Sequence, residues 1–561
     1  LFLQGQIREA QGELRRAHAL YDQLRNESPL SRWTSAARKA QARLRADHPE
    51  LFGFHTTQSL ADEADRLARE RQADEAARLY QKLLNTVTEP DRRLKFLTKL
   101  SALYLSVRNR NAAMPLLEQI AREYPETVEA PKALYQIGNI LWNRHENAEA
   151  LEYFNRIIEN YPSSLDAERA RFAAADIHEF FGRKERAVEF YTAAVNQSAE
   201  LSVRDDAAWR LAWLYYRAGE MAAAAETFKT LARQAKSDTL AKAALYWQAR
   251  SAERAGDEDT AKQLYRRIFF DSGESYYEGL ARRGLERLGA TIDAQKPGPP
   301  QTSEEPDPAL TAEVDFHLSR ARELATLSLH QLAVAELDYI NNTKPNGRMR
   351  AVLMREYFNN RAYGRSLTLA NQAPLSQGER DLYRYPLAFW DLIQQKSLER
   401  ELDPYLILAL IRQESLFDSR ARSSASALGL MQLIPGTAAR VARQLGVAVP
   451  SQEKLFEPEV NLTLGTQYLK DLLERYSHNW HKAIAAYNAG EAAVDRWERE
   501  IPAEDIEEFV EQIPYGETRG YVKLVLRNHG IYKRLYEQND AQCSSFDRNY
   551  GGCLHCARQC R

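Results

Sequence analysis

The sequence predicts an essentially all-α protein, and three observations predict it. An alanine recurs every 37 residues through the first half of the chain, followed four residues later by a large apolar side chain. Helix start and stop signals recur through the second half. No run of alternating β-branched residues bounded by hairpin turns occurs anywhere.

The repeat comes first. Ala76, Ala113, Ala150, Ala187, Ala224 and Ala261 carry the period, and Tyr80, Leu117, Phe154, Tyr191, Phe228 and Tyr265 follow them. Residues at i and i+4 share one helix face, so the alanine admits a neighbouring helix and the larger side chain fills the groove beside it. Gly182, Gly219 and Gly256 stand five residues ahead of their alanines, where a turn between antiparallel helices needs a permissive backbone. The stretch "ALYQIGNILWNRHENAEALEYFNRIIENYP" reads as one helix–turn–helix unit ending in a Tyr-Pro stop. This pattern resembles a tetratricopeptide-type repeat, lengthened by about three residues over the usual period. The aromatic residues of "YYRAG" and "ALYWQAR" read as packing residues. Such a solenoid either binds a partner or serves as a bare scaffold.

After Gly289 the texture changes. "AQKPGPPQTSEEPDPAL" is dense in proline and almost empty of large apolar residues, which reads as an extended linker. Helical periodicity then resumes in "FHLSRARELATLSLHQLAVAELDYI" and continues through Phe389. The expected organisation is a TPR-like superhelical domain over 1–290, a Pro-rich linker over 291–312, a helical connecting domain over 313–385, a compact helical domain over 386–540 and a Cys-containing tail over 541–561.

Composition narrows the function. The 561 residues carry a net charge of −2, so no global basic field draws the chain to nucleic acid. The apolar run Tyr405–Ile411 falls far short of the ~20 residues that span a bilayer, and no transmembrane segment is expected. The first residue is Leu, so the natural N-terminus is expected upstream and a secretory leader stays open. All four cysteines, Cys543, Cys553, Cys556 and Cys560, lie at the very end. Their spacing matches no standard zinc module. The tail is read as functionless, with disulfides and zinc as alternatives, and no metal site is assigned.

The most informative stretch is "RQESLFDSRARSSASALGLMQLIPGTAARV". Asp403 and Pro404 supply an N-cap and a first helical residue. The helix runs through "YLILALIRQES" and brings Glu414 to its end. A carboxyl on the buried face of this helix would have its charged form disfavoured by desolvation and its pKa raised into the range of a general acid. The plain alternative is a surface glutamate paired with Arg412 or a lysine. Downstream, "SSASALGLMQLIPGTA" sets small residues around Gly429 and Gly436, which lets backbone approach a ligand. Gln432 there both donates and accepts hydrogen bonds, as a sugar requires. "AIAAYNAG" and "IPYGETRGYVKLVL" place Tyr487, Asn488, Glu517 and Tyr521 at helix ends.

Taken together and in this order, "IRQES", "GLMQLIPGTA", "AYNAG" and "IPYGETRGYV" resemble the signature blocks of the soluble lytic murein transglycosylases. These enzymes have a goose-lysozyme-like catalytic domain behind a long α-superhelix. "YYEGLARRGLERLG", "AELDYI" and "LYRYPLAFWDLI" look like their connecting regions. The resemblance implies Glu414 as the single catalytic acid/base, with Ser423 and Tyr487 orienting it. It implies that Gly429, Met431, Gln432 and Tyr521 contact the glycan, that Asn488 supports the cleft and that Glu517 lies near the peptide stem or sugar. It further implies cleavage of the β-1,4 bond between N-acetylmuramic acid and N-acetylglucosamine with formation of a 1,6-anhydro product. No cofactor is implied. The partner would be peptidoglycan glycan strands, and the location periplasmic or cell-envelope associated. One residue departs from the family pattern: Ser426 stands where a glycine is usual. If the backbone there has positive φ, the serine strains the loop by about 1–2 kcal/mol.

Ordinary glycoside hydrolysis uses two carboxylates. The nearest second one in sequence is Asp418, at helical spacing from Glu414, but "FDSRARSS" reads as a polar turn in which Asp bonds locally. A lysozyme-like hydrolase and a non-catalytic peptidoglycan-binding scaffold are the alternative functions.

Overall fold

The structure, a computed structural model, describes residues 1–53, 56–271, 274–290, 311–501 and 503–537. Thirty α-helices and no β-strand occur among them. The proposed tail lies outside the described residues, as does the linker except for Thr311 and Ala312. Thr311 already caps the helix Ala312–Thr326 by accepting a hydrogen bond from the Val314 N–H. The chain forms two compact units, Leu1–Ala261 and Lys262–Arg561.

The first unit is a succession of helical hairpins. All six repeat alanines are completely buried, and of their six partners none is more than 4% exposed. In the hairpin of helices Glu129–Trp142 and Asn147–Asn160, the ring of Phe154 sits 5.7 Å from Tyr135 and 6.3 Å from Trp142. Gly138 makes room for it, since a Cβ there would lie 2.6 Å from the Phe154 ring. Gly5 does the same for Tyr21. The aromatic residues expected to pack do so: Tyr216, Tyr246 and Trp247 are buried, and the Trp213 and Trp247 rings meet at 4.5 Å.

The hairpin turns adopt the left-handed region at one fixed place, five residues before each alanine. Gly182, Gly219 and Gly256 have φ of 68°, 78° and 82°. In the three preceding repeats Arg71, Arg108 and His145 occupy the same place with φ of 60°, 60° and 64°. The turn is therefore dictated by the helix packing on either side, and glycine only lowers its cost.

In the second unit the helices between Ala312 and Ala370 surround a core that includes Leu318, Ala333, Leu337, Leu353 and Tyr357. The same hairpin recurs there outside the 37-residue register: Ser328 has φ 60° ahead of buried Ala333 and Leu337. A larger core follows, from Tyr385 to Tyr536. Its axis is the helix Pro404–Ser415, in which every residue from Tyr405 to Ile411 is buried, lying against the helix Gly516–Tyr532.

Replacing Gly219 with Ala puts a Cβ into a left-handed turn and lowers unfolding free energy by about 1 kcal/mol, whereas His145→Gly holds or raises it. Thermal denaturation of the two variants checks the pair. Equal destabilisation by both would contradict a conformational origin.

Candidate active site

Asp403 caps the central helix as the sequence predicts. One carboxylate oxygen accepts from the Tyr405 and Leu406 N–H groups at 2.8 and 3.2 Å, and Pro404 takes the first helical position. Its other oxygen lies 2.9 Å from Nε2 of His529. Arg412 turns away from Glu414: its Nε donates to the Arg384 carbonyl at 2.8 Å, and its guanidinium lies 4.3 Å from the Tyr385 ring centroid. The reading of Glu414 as one half of a surface pair with Arg412 is thereby excluded.

Glu414 is half-buried at the end of this apolar helix. The Tyr521 hydroxyl, itself buried, donates to its Oε1 at 2.5 Å. Burial raises the Glu414 carboxyl, the Tyr521 hydrogen bond opposes that rise, and the nearby charge of Glu517 adds to it. The outcome is a pKa of about 7. A carboxyl poised there can give a proton and take one back near neutrality. The carboxylate that acts on Glu414 is thus Glu517. Asp418 is exposed, and its Oδ1 accepts from the Arg420 N–H at 2.9 Å, a local turn bond.

The helix leaves Glu414 through two left-handed residues, Leu416 and Phe417, with φ of 49° and 65°. The chain then loops back over the site. Ser415 Oγ donates to the Leu430 carbonyl at 2.8 Å, and the Gly429 N–H donates to the Ala421 carbonyl at 3.0 Å. Isolated bridges join Arg422 to Leu428 and Leu428 to Leu433. At the centre stands Asn461, fully buried. Its Nδ2 donates to the carbonyls of Leu428 and Leu455 at 2.9 and 2.8 Å, and its Oδ1 accepts from the Met431 N–H at 2.8 Å.

Residues 391–510 match the transglycosylase SLT domain family, and residues 512–540 match the soluble lytic transglycosylase helical domain. Residues 99–165, 135–202, 206–237 and 243–269 match tetratricopeptide repeats. The chain carries an SLT domain and tetratricopeptide repeats, and it is homologous to the soluble lytic murein transglycosylases. Over 290 residues it is 31% identical to the soluble lytic murein transglycosylase of Escherichia coli K12, covering 51% of this chain and 43% of that one. The Salmonella typhimurium protein of the same name is 30% identical over 302 residues, covering 53% and 45%. These matches span less than half the length of either relative. In fold, the chain is similar to an inactive mutant of the lytic transglycosylase Slt from Pseudomonas aeruginosa, with a TM-score of 0.59 at 24% identity over 95% of this chain and 80% of that one. The 70 kDa soluble lytic transglycosylase of Escherichia coli gives a TM-score of 0.58 at 21% identity, over 94% and 88%.

Across these two matched segments, the residues singled out from sequence fall into two groups. Glu414, Tyr521 and Glu517 come together, and Tyr487 lies near enough to feel the Glu414 charge. The Tyr487 hydroxyl, however, donates to the Met431 carbonyl at 2.8 Å and not to Glu414. Ser423 does not reach the glutamate either: its Oγ accepts from the Ala427 N–H at 3.0 Å and closes the loop. The hydroxyl holding Glu414 is that of Tyr521, which sequence reasoning placed on the glycan. Met431 was expected to line the cleft, yet its side chain is wholly buried against Gly465, where a Cβ would meet the sulfur at 2.4 Å. Gly429 has φ 77°, and a Cβ on it would strike Asn461 and the Leu455 carbonyl, each at 2.3 Å. Its small size therefore serves the loop's own packing. Gln432 donates from Nε2 to the Ala421 and Gly429 carbonyls at 3.1 and 2.8 Å. Asn488 accepts from Thr518 Oγ1 at 2.6 Å, tying the end of the helix Trp480–Ala489 to the helix that carries Tyr521.

Sequence reasoning missed Asn461, although a lone amide in "PEVNLTLGTQYL" on an otherwise apolar face was a readable signal. It also missed the buried set behind Tyr521. There Lys523 donates to Glu511 Oε2 at 2.6 Å and to the Tyr277 hydroxyl at 2.8 Å, and Tyr277 in turn donates to Glu511 Oε1 at 2.7 Å.

Ser426 has φ 63°, the strained geometry expected of a serine at a glycine position. Ser426→Gly is expected to raise stability by about 1 kcal/mol in denaturant unfolding; a fall would show that the serine side chain holds the loop.

The sign of the Glu414 shift gives a further expectation. Its folded pKa lies above the ordinary carboxyl value, so ionisation costs the folded state stability as pH rises from about 4.5 through about 7. Titrating an isotope-labelled Glu414 carboxyl by NMR should give a midpoint near 7. Glu517→Gln should lower that midpoint, and Tyr521→Phe should raise it. Unmoved midpoints in both variants would refute this account of the shift.

Proposed function

We propose that the chain is a peptidoglycan lytic transglycosylase. The observation that carries the reading is one carboxyl with a pKa of about 7, at the end of a buried helix and held by a tyrosine hydroxyl, inside an SLT domain. Glu414 protonates the glycosidic oxygen between N-acetylmuramic acid and N-acetylglucosamine, and the bond from that oxygen to the muramyl C1 breaks. The resulting carboxylate takes the proton of the muramyl 6-hydroxyl, whose oxygen bonds to C1 and closes the 1,6-anhydro ring. Glu414 ends protonated and no water is consumed. The cycle needs neither metal nor cofactor.

The other residues support this chemistry from behind. Tyr521 orients Glu414, and burial keeps its pKa high, with the charge of Glu517 adding to that rise. The backbone of 429–432, fixed by Asn461 and Tyr487, forms the wall against which the sugar lies. Ser423 and Gln432 hold that wall, and Asn488 ties the helix of Tyr521 to the rest of the domain. The organisation proposed is a TPR-like domain over 1–290, a linker to 312, a connecting domain to 385, the catalytic domain to 540 and a tail beyond. The substrate is the glycan strand of the murein layer. Murein lies in the bacterial envelope, which makes the periplasm the working compartment. No described helix is long and apolar enough to cross a membrane.

A lysozyme-like hydrolase is the second reading, and the electrostatic coupling of Glu517 to Glu414 is what favours it. In that case Glu517 would position a water molecule.

Mass spectrometry of products released from purified murein separates the two readings. The expected outcome is muropeptides ending in 1,6-anhydro-muramic acid, about 18 Da lighter than hydrolysed ones and absent with Glu414→Gln. Reducing ends lost with Glu517→Gln would establish the hydrolase instead. No release by wild type would leave the scaffold.

A further inference from the structure

The helix that carries Tyr521 is gripped from two sides. Toward the helix Pro404–Ser415 it presents the Tyr521 hydroxyl to Glu414 and the His529 ring to Asp403. Lys523 follows Tyr521 by two positions, and residues two apart on a helix point about 200° away from each other. The Lys523 ammonium accordingly meets other partners. It donates to Glu511 Oε2 at 2.6 Å and to the Tyr277 hydroxyl at 2.8 Å, and that hydroxyl donates to Glu511 Oε1 at 2.7 Å. The three groups close a ring in which each bonds both others.

That ring is costly to disturb. Glu511 and Tyr277 are 5% and 2% exposed, and a buried charge that loses a partner keeps the full penalty of leaving water. Arg519, on the same helix as Lys523, adds two bonds from its Nη1 to the carbonyls of Glu511 and Ile513, each at 3.3 Å. Tyr277 comes from the helix Tyr276–Arg287, which lies outside both matched transglycosylase segments. This helix is itself tied down, with Arg283 and Arg287 at 3.6 and 3.7 Å from Glu507. Any rotation of the helix Gly516–Tyr532 that draws Tyr521 off Glu414 also carries the Lys523 ammonium away from Tyr277 and Glu511, through the same angle.

We propose that Tyr277 is a positioning residue for Glu414: through Lys523 and Glu511 it fixes the rotation of the helix Gly516–Tyr532 and so holds the Tyr521 hydroxyl on the Glu414 carboxyl. The assignment rests on the transglycosylase reading above for what Glu414 does, and on the geometry alone for how Glu414 is held. A side chain far outside the SLT domain thereby becomes part of the apparatus that orients the acid.

Tyr277→Phe tests the assignment, because it removes one neutral hydroxyl and changes no charge near Glu414. In an NMR titration of the labelled Glu414 carboxyl, the midpoint should rise by about half a pH unit, a partial loss of a bond whose complete loss is worth about one unit or more. In a Tyr521→Phe background the same substitution should leave the midpoint where it is, since the hydroxyl it positions is gone. Tyr276→Phe is the control. The hydroxyl of Tyr276 is buried with no hydrogen-bond partner among the described residues, and its removal should move nothing. On purified murein, Tyr277→Phe should lower kcat severalfold with KM unchanged, as expected of a group that touches no sugar. An unmoved midpoint in Tyr277→Phe, or an equal rise with and without the Tyr521 hydroxyl, overturns the assignment. The expected midpoints beside a wild type that releases nothing from murein overturn the transglycosylase reading instead and leave the positioning of Glu414 standing.

Discussion

The packing around Glu414 depends on a single side-chain amide. Asn461 is shut away from water, and it spends two hydrogen bonds from its nitrogen and one to its oxygen on the backbone of two separate segments. An amide buried without those partners would cost on the order of several kcal/mol, so the loop 428–431 and the turn at Leu455 can take only the arrangement that satisfies it. Everything near the acid follows from this. Gly429 must lack a Cβ because Asn461 occupies that space, and Met431 must face inward because its N–H is committed. The Met431 carbonyl is left pointing at Tyr487.

Much of this was legible in the sequence, for reasons that differ by element. The hairpins could be read because a complete turn of packing repeats itself: each buried alanine and its i+4 partner solve the same steric problem every 37 residues. The turns were readable only where glycine announced them. Arg71, Arg108 and His145 adopt the same left-handed backbone without announcing it, because neighbouring helices impose the geometry from outside. The hairpin after Ser328 was missed because it lies outside the register. The cap at Asp403 and the extent of its helix follow from local rules, and both were legible.

Within the site, the sequence singled out Glu414 but not the hydroxyl that bonds it, which is that of Tyr521. Glu414 stands out because a carboxylate ends an apolar run, which is a local signal. Tyr521 lies 107 residues away, and its hold on Glu414 depends on how two helices cross, which no local pattern encodes. Ser423 and Tyr487 were taken from the family resemblance. Their hydroxyls instead serve the loop backbone, where an unpaired buried group would be costly.

The central helix and the helix Gly516–Tyr532 are joined at both ends, by Asp403 with His529 and by Glu414 with Tyr521. Two such fasteners define a length as well as an angle. Sliding either helix along its axis breaks one of them, and adding a single residue between them would swing the acid by about 100° around its helix. The interval from Asp403 to Glu414 therefore acts as a ruler. Its side chains can be exchanged for others of similar volume, but its residue count cannot change. Whatever meets Glu414 meets a carboxyl whose position was set when the two helices locked together.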